Sequence, residues 1–203
     1  MHIEKSGIAR GAIFFVPGAN GKPLSDVISQ AIVGAGYDIL NHSFWNSPQE
    51  LEEKSLADIQ ADIVAAAEYL HKQGYGRIVA MGKSLGGGFL LTHKLDVQAM
   101  VLLAPAIGVA EEENIEEVKT RKLSSISKYS DLNVSHEMLR NIELPVLVIR
   151  GATDNVVSEA LIEEFCSHLP RAKCVMLLGA DHSFKTSQGE LATHIIDFLK
   201  NSV

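Results

Sequence analysis

Short runs of apolar residues alternate along this chain with longer stretches in which apolar positions recur every three or four residues. The first pattern predicts strands at 12–16, 37–42, 77–81, 99–103, 146–150 and 173–178. Several of these runs are continuous rather than alternating, as expected of strands covered on both faces. The second pattern predicts helices at 24–33, 48–73, 158–169 and 188–201. In the last, Leu191, Ile195, Phe198 and Leu199 share one stripe that faces a core. Gly34, Gly36 and Gly74 stand just past predicted helix ends, where a left-handed residue closes the turn.

Strand and helix in regular alternation predict a three-layer α/β/α fold around a mostly parallel central sheet of about six or seven strands. The length of 203 residues suits one domain over 1–203. Residues 106–143 break the alternation, being polar and long where one crossover helix would do. They predict one or two helices outside the sheet, either a solvated connector or a small lid over a site.

Composition narrows the classes of function. The formal net charge is −7 and no basic cluster offsets it, which argues against nucleic acid as a partner. No apolar run is long enough to span a bilayer, and the first residues lack the apolar core of a secretion signal, so a cytoplasmic location is expected. Cys166 and Cys174 are then expected as reduced core thiols. The eight histidines show no zinc-ligand spacing, so no metal is expected. Oligomeric state is left open.

The stretch from Met81 to Gly88 reads two ways. Gly82-Lys83-Ser84 ends like a phosphate-binding P-loop, but the glycine that should open such a loop falls at Arg77, and residues 77–81 form an apolar run suited to a strand. The same residues spell G-x-S-x-G, with Gly82 and Gly86 two places either side of Ser84. That is the pattern of a nucleophile elbow, a sharp strand-to-helix turn whose crowding excludes side chains at both glycine positions. Lys83 is long enough to extend outward and is expected to be structural.

A serine hydroxyl needs a histidine base and an acid to orient that base, in the chain order Ser, Asp, His for this architecture. Asp154 follows the strand at 146–150, and His182 follows the strand at 173–178. Both loops leave the sheet at the carboxyl edge, where Ser84 also lies. Asp181 adjoins His182 and would have difficulty reaching its ring. Two amides should face a developing oxyanion: that of Leu85, and that of Ala19 in the loop after the strand at 12–16, with Asn20 a weaker candidate. Phe44 and Trp45 follow a strand on the same edge, either as an apolar substrate pocket with Asn20 or as packing residues.

With these motifs in place, the chain resembles the α/β-hydrolase superfamily, in a compact form similar to serine esterases and dienelactone hydrolases. The resemblance runs from Gly11 to Leu199 and rests on Ser84 in its glycine frame, Asp154, His182 and the Pro17-Gly18-Ala19-Asn20 loop. It implies hydrolysis of a small acyl ester or thioester through an acyl-serine, with a small-molecule acyl substrate and no cofactor. Pro17 stands where the family usually has histidine, and the short N-terminal segment implies that one or two antiparallel strands are missing. A vestigial triad on a ligand- or partner-binding module is the alternative.

Overall fold

A computed structural model describes residues 1–126 and 131–202. Seven strands form one sheet in the order β1 (His2–Glu4), β3 (Tyr37–Asn41), β2 (Gly11–Val16), β4 (Ile78–Lys83), β5 (Ala99–Leu103), β8 (Val146–Gly151) and β9 (Ala172–Leu177). Only β1 is antiparallel to its neighbour within this sheet. Every residue of β5 and β8 is buried, as the apolar runs 99–103 and 146–149 require, and Arg150 of β8 is buried with them.

Helix α1 (Asp26–Gly34) carries the chain from β2 to β3 in one direction across the sheet, and α3 (Leu56–Lys72) carries it back past β2 to β4. Right-handed crossovers therefore place α1 and α3 on opposite faces. The later crossover α7 (Glu159–His168) runs in the same sense as α3, and the C-terminal α8 (Gln188–Asn201) packs beside α1. Because the connections diverge from β2 and β4, a crevice opens at the carboxyl ends of these two strands.

The expected helix at 48–73 is two: α2 (Pro48–Glu52) and α3. Glu53 caps the end of the first, and Ser55 starts the second through a reciprocal cap, its side chain accepting from the Asp58 amide while the Asp58 carboxylate accepts from the Ser55 amide. Gly36 and Gly74 adopt φ of 90° and 87°, closing α1 and α3 as expected, whereas Gly34 remains within α1.

The segment after β5 holds more than helices. Strands β6 (Gly108–Ala110) and β7 (Asn133–Ser135) pair in parallel, with α4 (Leu85–Phe89) earlier in the chain, α5 (Ile115–Val118) between the pair and α6 (His136–Arg140) after it. Ile115, Val118 and Leu123 are buried, and the backbone bonds to the α2–α3 corner through Ala57 N–H to Lys119 O and Leu123 N–H to Lys54 O. Part of the polar stretch expected here, 127–130, lies outside the described residues.

Cys166 and Cys174 form a disulfide between α7 and β9, where free thiols were expected. The eight-residue spacing spans one reversal of the chain, which brings the two Cα atoms to 6.3 Å. They are not core residues: β9 is an edge strand, and Cys174 is exposed on it. Among the described residues no helix is long and apolar enough to cross a membrane.

The amino end of the sheet is pinned by a buried carboxylate. Asp38 accepts from Ser6 N–H and Oγ–H, both at 2.7 Å, and from Tyr75 Oη–H at 2.5 Å, with Lys5 Nζ at 3.3 Å. Burial alone would raise its pKa, but Tyr75, Ser6 and Lys5 outweigh it and hold the carboxyl at about 2. A depressed carboxyl stabilises the fold above its ordinary pKa of 3.8 and loses that contribution as pH falls toward 2. Asp38→Asn is expected to lower stability by about 2 kcal/mol at neutral pH. Urea unfolding at pH 7 and at pH 3 checks this: the gap between native and variant should narrow at the lower pH.

Candidate active site

Ser84 sits between β4 and α4 with φ of 52° and ψ of −122°, a conformation that costs a non-glycine residue roughly 1–3 kcal/mol. Its backbone is held on three sides: Ser84 N–H donates to Leu103 O at 2.8 Å, and Ser84 O accepts from Ala106 at 2.9 Å and Gly88 at 3.0 Å. The flanking glycines are required by space. A Cβ on Gly82 would lie 2.6 Å from Gly86 O, and one on Gly86 would lie 2.2 Å from Val16 O. Gly88 is similarly close to Ala106 O, at 2.8 Å. α4 is a single short helix of five residues, so the turn is held mainly by this main-chain packing.

Asp154 follows β8 and is 6% exposed. Its Oδ1 accepts from the amides of Val156 and Val157, and its Oδ2 lies 2.8 Å from His182 Nδ1. Burial opposes ionisation of this carboxyl, but the Val157 amide, the His182 ring and the Val156 amide together keep its pKa below the ordinary value. Arg150, itself 5% exposed, donates from Nε to Val157 O and from Nη2 to Asp154 O. The buried guanidinium thereby clamps the backbone on both sides of the turn that aims the carboxylate.

His182 follows β9, and its Nε2 lies 3.1 Å from Ser84 Oγ. With Nδ1–H donating to Asp154, Nε2 is left to accept from the serine hydroxyl. Thr153 ties the two loops together, donating to Ala180 O from both its amide and its hydroxyl. The Asp181 carboxylate instead accepts from the amide and hydroxyl of Ser183, so it caps its own turn. Lys83 does not extend freely outward: it is half-buried, its Nζ donates to Ser183 O at 3.3 Å, and it lies 5.8 Å from the Phe184 ring centroid.

The loop after β2 lies against the serine, since a Cβ on Gly18 would be 3.4 Å from Ser84 Cβ. Ala19 follows Gly18 on that loop, and Leu85 follows Ser84, its amide being the first of α4 and without a partner within the helix by position. Asn20 is exposed, and its Oδ1 accepts from Lys22 N–H. Phe44 and Trp45 are each 1% exposed, and Trp45 packs edge-on against Phe89. They also line a cavity of about 340 Å³ with Phe15, Pro17, Leu24 and His42; Ser84 does not line it. Trp45 Nε1–H donates to Gly18 O at 2.9 Å, which fixes the loop carrying Ala19. The signal for that role was a lone tryptophan whose N–H, once buried, must find an acceptor.

A mostly parallel sheet with a strained serine at the turn after a central strand, met by an aspartate and a histidine from the loops after β8 and β9, is the arrangement of the α/β-hydrolase fold. This chain has that fold. Est1E from Butyrivibrio proteoclasticus superposes with a TM-score of 0.78 at 14% identity, over 98% of this chain and 92% of that one. A monoacylglycerol lipase from Paleococcus ferrophilus gives 0.73 at 18%, over 100% and 99%. A dienelactone hydrolase from Anabaena variabilis gives 0.73 at 17%, over 99% and 90%. No family model and no curated protein sequence matches the chain.

Proposed function

We propose that this protein is a serine hydrolase that cleaves a small acyl ester or thioester, with Ser84 as nucleophile, His182 as general base and Asp154 as the acid that orients it. The observation that carries this reading is the unbroken path from Ser84 Oγ through both ring nitrogens of His182 to the buried carboxylate of Asp154. The ester-cleaving names among its structural neighbours support it.

In this mechanism His182 Nε2 takes the hydroxyl proton as Ser84 Oγ attacks the acyl carbon. The oxygen of the tetrahedral intermediate gains negative charge and meets the amides of Leu85 and Ala19. The imidazolium, steadied by Asp154, then protonates the departing alcohol or thiol. Water, deprotonated by the same imidazole, releases the acid and restores Ser84. Trp45 and Arg150 act as positioning residues, the first through Gly18 O and the second through the acid loop.

Treatment with a fluorophosphonate, read by intact mass, is expected to add one adduct to the native protein and none to Ser84→Ala. Folded native protein that takes up no adduct would sink the proposal. A panel of acyl esters and thioesters of graded length then defines the preferred acyl group.

A further inference from the structure

The cavity of about 340 Å³ lies between two loops: Phe15 and Ile39 line it from β2 and β3, Pro17 and Leu24 from the loop after β2, and Phe44 and Trp45 from the loop after β3. Its volume stands at the lower end of the roughly 300–1,000 Å³ usual for small-molecule sites. Ser84 does not line it, but Gly18 links the two. A Cβ on Gly18 would lie 3.4 Å from Ser84 Cβ, while Gly18 O accepts from Trp45 Nε1–H and from Gly21 N–H, both at 2.9 Å. Gly21 also lines the cavity, at φ of 67°, and a Cβ there would come within 2.6 Å of Trp45 O. An occupant therefore touches both residues that hold the Gly18 carbonyl.

The lining also states what kind of occupant fits. No Lys, Arg, Asp or Glu lines the cavity among the described residues, so a charged molecule would find no partner there. Two of its polar side chains are engaged locally: Ser43 Oγ–H donates to Asn46 Oδ1 at 2.6 Å, and Asn46 Nδ2–H donates to Glu50 at 2.9 Å. His42 differs. Its half-buried ring meets Phe44 edge-on with centroids 4.5 Å apart, and neither ring nitrogen has a hydrogen-bond partner among the described residues. Burial holds its pKa below the ordinary value, so at neutral pH one nitrogen donates and the other accepts. A hydroxyl answers either nitrogen, whereas a carbonyl answers only the donor.

We infer that this cavity binds a compact, neutral apolar molecule carrying one hydroxyl group, with the hydroxyl on His42 and the apolar body against Leu24 and Phe44, and that the occupant braces the Gly18 turn through Trp45 and Gly21. The site is separate from the nucleophile and stands independently of the reading of Ser84. Its effect reaches Ser84 through the loop that lies against the serine.

Cyclohexanol serves as the probe, and Trp45, the one tryptophan of the chain, as the reporter. Titration is expected to change Trp45 emission saturably, with a midpoint on the order of 1 mM. Hydrogen exchange of the Gly21 amide, which closes the turn, should slow about fivefold at about four times that midpoint. Leu24→Phe fills the cavity from a partly exposed position and should raise the midpoint about tenfold or more. His42→Phe keeps a ring against Phe44 but removes the nitrogens, and should raise it about fivefold. Emission that drifts without saturating, Gly21 exchange that does not respond, or a midpoint unchanged in both variants would overturn the inference. Fluorophosphonate labelling that slows with the same midpoint would put the alcohol in the nucleophile's own site and overturn it as well. A native protein that takes up no adduct removes Ser84 as nucleophile, while emission and exchange still decide the cavity.

Discussion

Replacing Ser84 by alanine is expected to reduce ester turnover on the order of 10⁴-fold or more while leaving the fold intact. The hydroxyl donates its one side-chain hydrogen bond to His182, and nothing in the core depends on it. The strained φ of 52° is imposed by the main chain, so alanine bears the same conformational cost as serine and stability should change by less than about 1 kcal/mol. Glycine at this position escapes the steric penalty, and Ser84→Gly should be equally inactive yet more stable, by about 1 kcal/mol. Initial rates with a chromogenic ester, paired with urea unfolding of both variants, separate the two effects. Turnover that persisted in Ser84→Ala would remove this residue from the chemistry.

Gly86→Ala is expected to be the most damaging single methyl in the chain. Its Cβ would fall 2.2 Å from Val16 O and 2.3 Å from Pro17 O, both main-chain atoms at the end of β2. Val16 cannot retreat without breaking its register with Gly82 in the β2–β4 ladder. The overlap should cost about 3 kcal/mol or more. Pro17 leads into Gly18, which lies against Ser84, so any relief that preserves the fold shifts this loop relative to the serine, and under the proposed mechanism turnover falls in the molecules that do fold. Gly189→Ala is the control, because nothing lies within 4 Å of its added methyl and alanine favours α8. Denaturation midpoints of the two variants should move in opposite directions; a Gly86→Ala protein as stable as the native one would contradict the packing described for the turn.

The parts of the fold that depend on burial were the most legible in the sequence. The strand at 99–103 and the helix at 188–201 coincide with β5 and α8, because an unbroken apolar run and a sustained stripe each permit one arrangement. β1 left no such mark: His2, Ile3 and Glu4 pair through their backbones at the sheet edge, where side chains decide little. The break at Ser55 was written in a serine followed by an aspartate three residues on, a signal masked by the continuous helical periodicity around it.

In the site, Ser84, Asp154 and His182 could be found because their spacing along the chain reflects successive strands, and the structure brings these three side chains together. Arg150 could not. A charged residue at the end of an apolar strand reads as the strand's exit into solvent, yet here it turns inward to two carbonyls that no sequence pattern announces. The disulfide was missed for a related reason, since the inference began from compartment and not from the chain reversal that sets the two cysteines side by side.

That crosslink bears on the history of a chain that has lost its structure. Asp154 and His182 are separated by 28 residues, and the bridge between Cys166 and Cys174 cuts eight of them out of the path. An unfolded but oxidised chain thus carries Asp154 and His182 on a shorter leash, each searching a smaller volume for the other. The serine has no such leash, and after every unfolding it must be found again across the whole sheet.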